Sequence, residues 1–297
     1  MFEELARDKT SGATALTRRA AEILSEALID SKAGDPGEFW NELQALCRKL
    51  IAAQREMAPL INLAGKALSI TERLVLSGVG AETLKRAVAL ELSTFVSAMD
   101  DGVEALAREG AAALPPCSSI ATLSASECFM AVLTGAVRSG RTLSVIAAES
   151  RPALEGVTQA ERLRALGVSV GVVADDALPK LIADADLVLV GADRVSQEEF
   201  VGKVGVHAAA AAARDAGVPF LAAATEERLI SGALAPRAEE DSDAASLFEP
   251  VPLTLITGIL TGAGLQTPEE TAARISRKPV PPSLLRLLFD KTPPSGL

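Results

Sequence analysis

The hydrophobic pattern changes character near residue 115. Before that point apolar positions recur at helical spacing; after it, short apolar runs alternate with amphipathic ones. Ala15 to Leu28 places its apolar residues three and four apart, the stripe of a helix packed on one face. Thr10-Ser11-Gly12 supplies N-cap chemistry ahead of it, and Ser31 to Gly37 reads as a loop by composition. Phe39 to Ala53 repeats the pattern with Leu43, Leu46, Cys47 and Leu50 on one side. Beyond the break at Ser77-Gly78-Val79-Gly80, an Ala/Leu/Glu-rich stretch from Ala81 to about Leu114 predicts one long helix, ended by Pro115-Pro116.

After Pro116 the strand candidates are Ser119 to Leu123, Leu143 to Ala147, Val168 to Val173, Leu187 to Val190 and Phe220 to Ala223. Helical patterns run between them over Cys128 to Arg138, Thr158 to Leu166 and Val204 to Ala216. That alternation predicts right-handed βαβ units and a mostly parallel sheet. The chain therefore reads as an α/β protein, with a helical N-terminal domain over 1–114 and an α/β domain over 115–297.

One strand carries the first chemical signal. Leu187-Val188-Leu189-Val190 is apolar without alternation, as suits a strand buried on both faces. It leads into Gly191-Ala192-Asp193-Arg194-Val195, where two small residues permit a turn and a close approach. Ligands of open α/β sheets bind beyond the carboxyl ends of strands, so Asp193 is a candidate acid/base. A helix cap or a salt bridge with a neighbouring Arg is the plainer role for such an Asp.

Composition narrows the field. With 23% charged and 48% hydrophobic residues the chain is globular. A net charge of −10 without a Lys/Arg cluster argues against direct nucleic-acid binding. Charged residues near the N-terminus exclude a signal-peptide apolar region there, and prolines and glycines between Pro250 and Pro268 argue against a membrane helix. Cys47, Cys117 and Cys128 lack metal-ligand spacing, and the lone His207 completes neither a metal site nor a Ser-His-Asp triad. A cytoplasmic protein with no metal and no cofactor is expected. A mean hydropathy of +0.27 points to a subunit interface, hence a homodimer or larger homo-oligomer.

Further segments fall near the same sheet edge. Glu149-Ser150-Arg151-Pro152-Ala153-Leu154-Glu155-Gly156 follows one strand and brings a carboxylate and a guanidinium. Ser124-Ala125-Ser126 follows another, where hydroxyls and backbone N–H groups opening a helix would cradle phosphate. Gly202-Lys203-Val204-Gly205 reads as the start of a helix, with Lys203 as a point charge for phosphate. Singly each is weak: Ser126 suits an N-cap, Lys203 a solvated charge and Arg151 a salt-bridge partner.

Together, the Glu-Ser-Arg-Pro segment with its following Gly, then Gly-Ala-Asp-Arg and a Lys-containing Gly turn, resemble one family. It unites translation initiation factor 2B α/β/δ subunits, methylthioribose-1-phosphate isomerase and ribose-1,5-bisphosphate isomerase. Asp8-Lys9-Thr10-Ser11-Gly12-Ala13 and Arg55-Glu56-Met57-Ala58-Pro59-Leu60-Ile61-Asn62 are similar to its N-terminal signatures, and Phe248-Glu249-Pro250-Val251-Pro252 to its closing one. The resemblance implies a Rossmann-like second domain, dimers built through it, and an interdomain pocket for a sugar phosphorylated at C1. It implies that a Cys and an Asp form the acid/base pair of an aldose-ketose isomerisation. The Asp matches Asp193, and the phosphate-holding segments match Ser11-Gly12-Ala13, Arg55 and Lys203.

Two departures matter. The family's catalytic Cys, set in Thr-His-Cys, is Ser124 within Thr122-Leu123-Ser124, and the Asn before its Lys is Gly202. A Ser hydroxyl is a far poorer proton acceptor at neutral pH than a thiol with a pKa near ~8.5. Cys128 lies four residues on, about one helical turn or ~6 Å away, too far to take its place without rearrangement. Asp193 and Ser124 remain the catalytic candidates; Ser11, Gly12, Ala13, Arg55, Ser126, Arg151, Gly202 and Lys203 are the candidates for holding ligand. The expected function is an initiation factor 2B-like protein binding a sugar phosphate or nucleotide without Cys-dependent catalysis. The alternative is an active isomerase of a C1-phosphorylated pentose.

Overall fold

The computed structural model describes residues 2–8, 11–55, 57–235 and 247–289. Lys9 and Thr10 of the first N-terminal signature and Glu56 of the second lie outside them. The described residues form two compact units. The first holds residues up to Asp100, a short stretch at 233–235 and the described residues from Lys278; the second holds 101–232 and 247–277.

The first unit is helical. It contains α1 (Phe2–Arg7), α2 (Ala13–Asp30), α3 (Pro36–Ala53), α4 (Ala58–Val75) and the first part of α5 (Ala81–Ala113). Asp35 caps α3, its side chain accepting the N–H groups of Gly37 and Glu38, and Pro36 fills the first position, where no N–H is required. Leu16, Ile23, Leu24, Leu43, Leu50, Leu60, Ile61 and Leu68 interleave as its core. Residues 54–76 carried no helix prediction, yet α4 spans most of them. Its first turn is buried all round, at Ala58, Pro59, Leu60 and Ile61, and only beyond it do Leu63, Ala64, Ala67, Leu68 and Thr71 form a buried stripe opposite the exposed Lys66, Ser69 and Arg73.

The second unit is a doubly wound sheet. Its elements are β1 (Cys117–Thr122), α6 (Glu127–Arg138), β2 (Thr142–Ala148), α7 (Glu155–Ala165), β3 (Ser169–Val173), α8 (Leu178–Leu181), β4 (Leu187–Gly191), β5 (Arg194–Val195), β6 (Glu199–Lys203), α9 (Val206–Ala216), β7 (Phe220–Ala223), β8 (Phe248–Pro252), β9 (Gly258–Thr261), β10 (Gly264–Gln266) and α10 (Pro268–Ser276). A last helix, α11 (Pro282–Phe289), belongs to the first unit. The strand order is β10-β9-β7-β4-β1-β2-β3, parallel except for β10. Apolar layers cover both faces, with Phe129, Val132 and Leu133 of α6 on one side and Val206, Ala209 and Ala213 of α9 on the other.

A mostly parallel sheet was expected; its strand order, which was not, fixes where a ligand belongs. The chain steps from β1 outward through β2 to β3, then returns to place β4 on the other side of β1. Crevices for ligands open at such reversals, beyond the carboxyl ends of the strands that flank them. Thr122 and Gly191 are those ends, so Ser124 and Asp193 follow directly on the two flanking strands.

A second, three-stranded sheet, β5-β6-β8, was not foreseen. It corrects the reading of Gly202-Lys203-Val204-Gly205 as a helix start: Gly202 and Lys203 end strand β6, paired with Glu249 and Phe248, and α9 begins at Val206 after a left-handed Gly205. Phe248 to Pro252 is a strand despite two prolines because β8 lies at the sheet's edge, where missing donors cost little.

Candidate functional site

Asp193 stands where the chain passes from one sheet to the other. The Ala192 N–H bonds to Ala223 O of the large sheet at 3.0 Å, and the Asp193 N–H bonds to Val201 O of the small one at 2.9 Å. Gly191 just before it does not adopt the left-handed conformation. Its glycine is required by space: an added Cβ would lie 1.9 Å from Ser126 Oγ and 2.3 Å from Ser126 Cβ. The molecule that approaches Gly191 closely is therefore the protein's own β1–α6 turn.

The Asp193 side chain faces a buried arginine that sequence reading missed. Arg228 Nη1 donates to Asp193 Oδ1 at 3.2 Å and to the Ala192 carbonyl at 2.6 Å. The Arg228 side chain is 4% exposed and that of Asp193 24%. Burial raises the Asp193 carboxyl above the ordinary range, opposed by the charge and hydrogen bond of Arg228 and by the charge of Lys203. A carboxyl raised in this way, with one edge open, suits proton exchange with a bound molecule.

Ser124 sits at φ 66°, unusual for a residue with a Cβ. Four hydrogen bonds hold its turn. Its N–H donates to Ser150 Oγ at 2.7 Å, and its carbonyl accepts from Gln159 Nε2 at 2.8 Å. The same Gln159 side chain accepts the Ser126 N–H at 2.7 Å, and the Ser124 hydroxyl donates to Glu155 Oε1 at 3.4 Å. Gln159 is 1% exposed and Ser150 3%. The Ser124 and Ser126 N–H groups, expected to cradle a phosphate, are thus committed within the protein. Ser126 caps α6, its Oγ accepting from the Phe129 N–H at 3.4 Å.

Lys203 reaches the same neighbourhood from the end of β6. Its Nζ lies 2.5 Å from Glu155 Oε1, with the side chains 9% and 20% exposed, and 6.0 Å from the Phe248 ring centroid. Gly202 lies buried in β6, opposite Glu249. The carboxylate of Glu249 accepts the N–H groups of Gly205 and His207, both at 2.8 Å, and so occupies the start of α9. Arg151 is largely exposed and paired with Glu149 at 2.7 Å, while Asp175 takes the N–H groups of Ser150 and Arg151 at 2.7 and 2.8 Å.

Ser124, Glu155, Lys203, Asp193 and Arg228 thus form one connected set in the second unit; Ser150 and Gln159 shape it, and Arg151 lies on its exposed flank. Ser150, Glu155, Gln159 and Arg228 carried no assigned role in the sequence. Glu155 lay inside a quoted motif, but its partners are tens of residues distant and left no local signal.

The first unit carries the other candidates. Gly12, not a Ser or Thr, is the N-cap of α2 and offers no side-chain cap. The Ser11 N–H donates to Asp8 Oδ1 at 2.8 Å, and Ala13 is buried in the first turn. Gln54 Nε2 donates to the carbonyls of Leu5 and Asp8, both at 2.9 Å, tying this segment to the turn that holds the exposed Arg55. Ser11 lines a surface depression of about 420 Å³ together with Glu4, Asp8 and Arg19.

Cys128 is fully buried, and its burial pushes the thiol up, offset only in part by the Arg228 charge and a backbone hydrogen bond at Thr225. Cys47, also buried, is pushed up to about 12. Both thiols stay protonated at neutral pH. Iodoacetamide in mildly alkaline buffer is expected to spare Cys47 and Cys128 in the folded protein and to label both after urea unfolding, as read by peptide mass spectrometry. Rapid labelling of native Cys128 would contradict this placement. Among the described residues no group of three His, Cys, Asp or Glu could hold a metal ion, and no helix is long and apolar enough to cross a membrane.

Known proteins are similar to this chain in sequence and in fold. The model of the initiation factor 2 subunit family matches residues 9–243. Ribose 1,5-bisphosphate isomerase of Methanocaldococcus jannaschii is 26% identical, over 90% of this chain and 91% of that protein. Methylthioribose-1-phosphate isomerase of Pelotomaculum thermopropionicum is 30% identical, over 90% of this chain and 82% of that protein. Among solved structures, translation initiation factor eIF-2B of Pyrococcus horikoshii superposes with a TM-score of 0.77 at 23% identity, covering 90% of this chain and 95% of that one, a likeness of fold.

Proposed function

The chain belongs to the initiation factor 2 subunit family, and we propose that it binds a phosphorylated sugar beyond the ends of β1 and β4 without thiol-dependent catalysis. The observation that carries this reading is that the turns beyond β4 and β1 present Asp193, raised by burial and part open, and a hydroxyl in place of a thiol at Ser124. Lys203, at the same edge, supplies positive charge for a phosphoryl group, and relatives named as sugar-phosphate isomerases support the ligand class. Cys128 gives no route back to thiol chemistry, since its side chain is buried and protonated.

A thermal-shift series with ribose-1,5-bisphosphate, methylthioribose-1-phosphate and a nucleoside monophosphate tests the reading. At a hundredfold excess over Kd a ligand stabilises by ~2.7 kcal/mol, an upward shift of roughly 4 °C for a chain of this length. That shift is expected for a sugar phosphate and should vanish in Lys203→Met. No shift with any phosphorylated ligand would defeat the reading.

One contact favours a second reading, an aldose-ketose isomerase with a partner other than thiol: the Ser124 hydroxyl donates to the Glu155 carboxylate. A new phosphorus resonance on incubation with either pentose phosphate, absent with Asp193→Asn, would establish it. Unchanged spectra alongside binding would leave the first reading alone.

A further inference from the structure

Arg228 is delivered to Asp193 by the main chain. Val195 pairs with Leu229, and the Ile230 N–H donates to Val195 O at 2.9 Å. The Arg228 N–H closes back on Thr225 O at 3.1 Å, in a tight turn over Glu226–Arg228. Val195 comes two residues after Asp193 and Leu229 one after Arg228, so this pairing brings the two side chains together.

The guanidinium then fixes one half of the carboxylate and leaves the other half open. Nη1 bonds both Asp193 Oδ1 and the Ala192 carbonyl, so turning the Asp193 side chain away would break a charge-assisted bond. The Ala192 and Asp193 N–H groups are committed to the two sheets, so the main chain is held as well. Oδ2 makes no hydrogen bond among the described residues, yet it is not sealed from solvent, and the side chain keeps 24% of its surface exposed. A ligand can therefore reach this oxygen. Lys203 acts on the same carboxylate through its charge.

We propose that Arg228 is a positioning residue: it turns the Asp193 carboxylate so that Oδ2 faces solvent and accepts a hydroxyl of the molecule whose phosphoryl group meets Lys203. The proposal rests on the sugar-phosphate reading above and adds the residue that orients the acceptor. Without the guanidinium the carboxyl is free to rotate. Burial also favours its protonated form, which donates where an acceptor is needed. Arg228, Lys203 and Cys128 are the titratable groups facing Asp193, and the buried thiol stays neutral. Glu127 and Glu227 also bear on Arg228, so Asp193→Asn does not leave the guanidinium without a nearby carboxylate.

Ribose-1,5-bisphosphate, titrated calorimetrically between about pH 6 and about pH 8.5, is the probe. The proteins are the wild type, Arg228→Gln, Asp193→Asn and the variant carrying both changes. Near neutral pH each single change should weaken binding about tenfold. The double variant should match Asp193→Asn within about twofold, because a positioning residue then has nothing left to orient. On acidification Arg228→Gln should lose affinity more steeply than the wild type, while the double variant runs parallel to Asp193→Asn. The ligand's own phosphoryl groups titrate alike in all four. A further loss when Arg228→Gln is added to Asp193→Asn, or parallel profiles for the wild type and Arg228→Gln, would mark a structural role and overturn the proposal. If Arg228→Gln does not fold, the double variant, which leaves no lone charge at this pair, decides the matter against Asp193→Asn. A double variant that also fails to fold would count as a structural role. Sugar binding unchanged in Arg228→Gln removes the positioning role and leaves the sugar-phosphate reading standing; a wild type that binds no sugar removes both.

Discussion

Gly156→Ala is expected to cost about 3 kcal/mol or more of folding stability, a large effect for one methyl group. The added Cβ would meet the Ala148 carbonyl oxygen at 1.9 Å, its carbon at 3.1 Å and Ser150 Oγ at 3.0 Å. The nearest of these is main chain at the end of β2, which is paired on both sides and has little freedom to give way. The methyl must push the start of α7 off the sheet, carrying Glu155 away from Lys203 and Gln159 away from the Ser124 turn. Gly171→Ala supplies the control, since nothing lies within 4 Å of its Cβ position and its φ is not left-handed. That change should be nearly neutral or slightly stabilising. Urea midpoints of the two variants check the account; similar losses in both would refute it.

Removing Arg228 is the second large change. Arg228→Met takes away the guanidinium that pairs with Asp193 and leaves a carboxylate in a buried setting. Breaking a buried pair from one side costs about 3–5 kcal/mol. The lower end is expected here, because Asp193 keeps a 24% exposed side chain and solvent softens the loss. The pH dependence has a definite sign. Burial already raises the Asp193 carboxyl, and losing Arg228 removes the leading opposition, so its folded pKa moves further up. A group raised in the folded state contributes stability that is present below its unfolded pKa and lost as pH rises through the folded value. The deficit of Arg228→Met should therefore be largest at neutral pH and shrink on acidification toward the ordinary carboxylate range. Urea unfolding at several pH values measures it, and a deficit that grows in acid would contradict the assignment.

The parallel sheet was legible because its strands are short apolar runs buried on both faces. Phe220 to Ala223 was placed to the residue, and Leu187 to Val190 within one. Asp193 and Ser124 were legible because position beyond a strand end is itself a sequence property. What escaped depended on contacts between distant residues. Pro59 sits in the first turn of α4, where proline is tolerated, and Gly65 is needed because Leu284 Cδ2 would lie 2.8 Å from a Cβ there. The small sheet hid behind the prolines of β8. Arg228 looked like one more charge in Glu226-Glu227-Arg228, and only folding buries it against Asp193. The Glu-Ser-Arg-Pro segment was recognisable as a motif, but its physical content lies in Ser150, Glu155 and Gly156, which brace the Ser124 turn and press α7 onto the end of β2.

The central claim is that the crevice between β1 and β4 holds a phosphorylated sugar with Lys203 on a phosphoryl group. Phosphorus NMR of ribose-1,5-bisphosphate with substoichiometric protein tests it most directly. One phosphorus line should broaden selectively, survive iodoacetamide treatment of the protein, and return to its free width when Lys203→Met replaces the wild type. Two lines that stay sharp and unshifted in the presence of wild-type protein would contradict the claim.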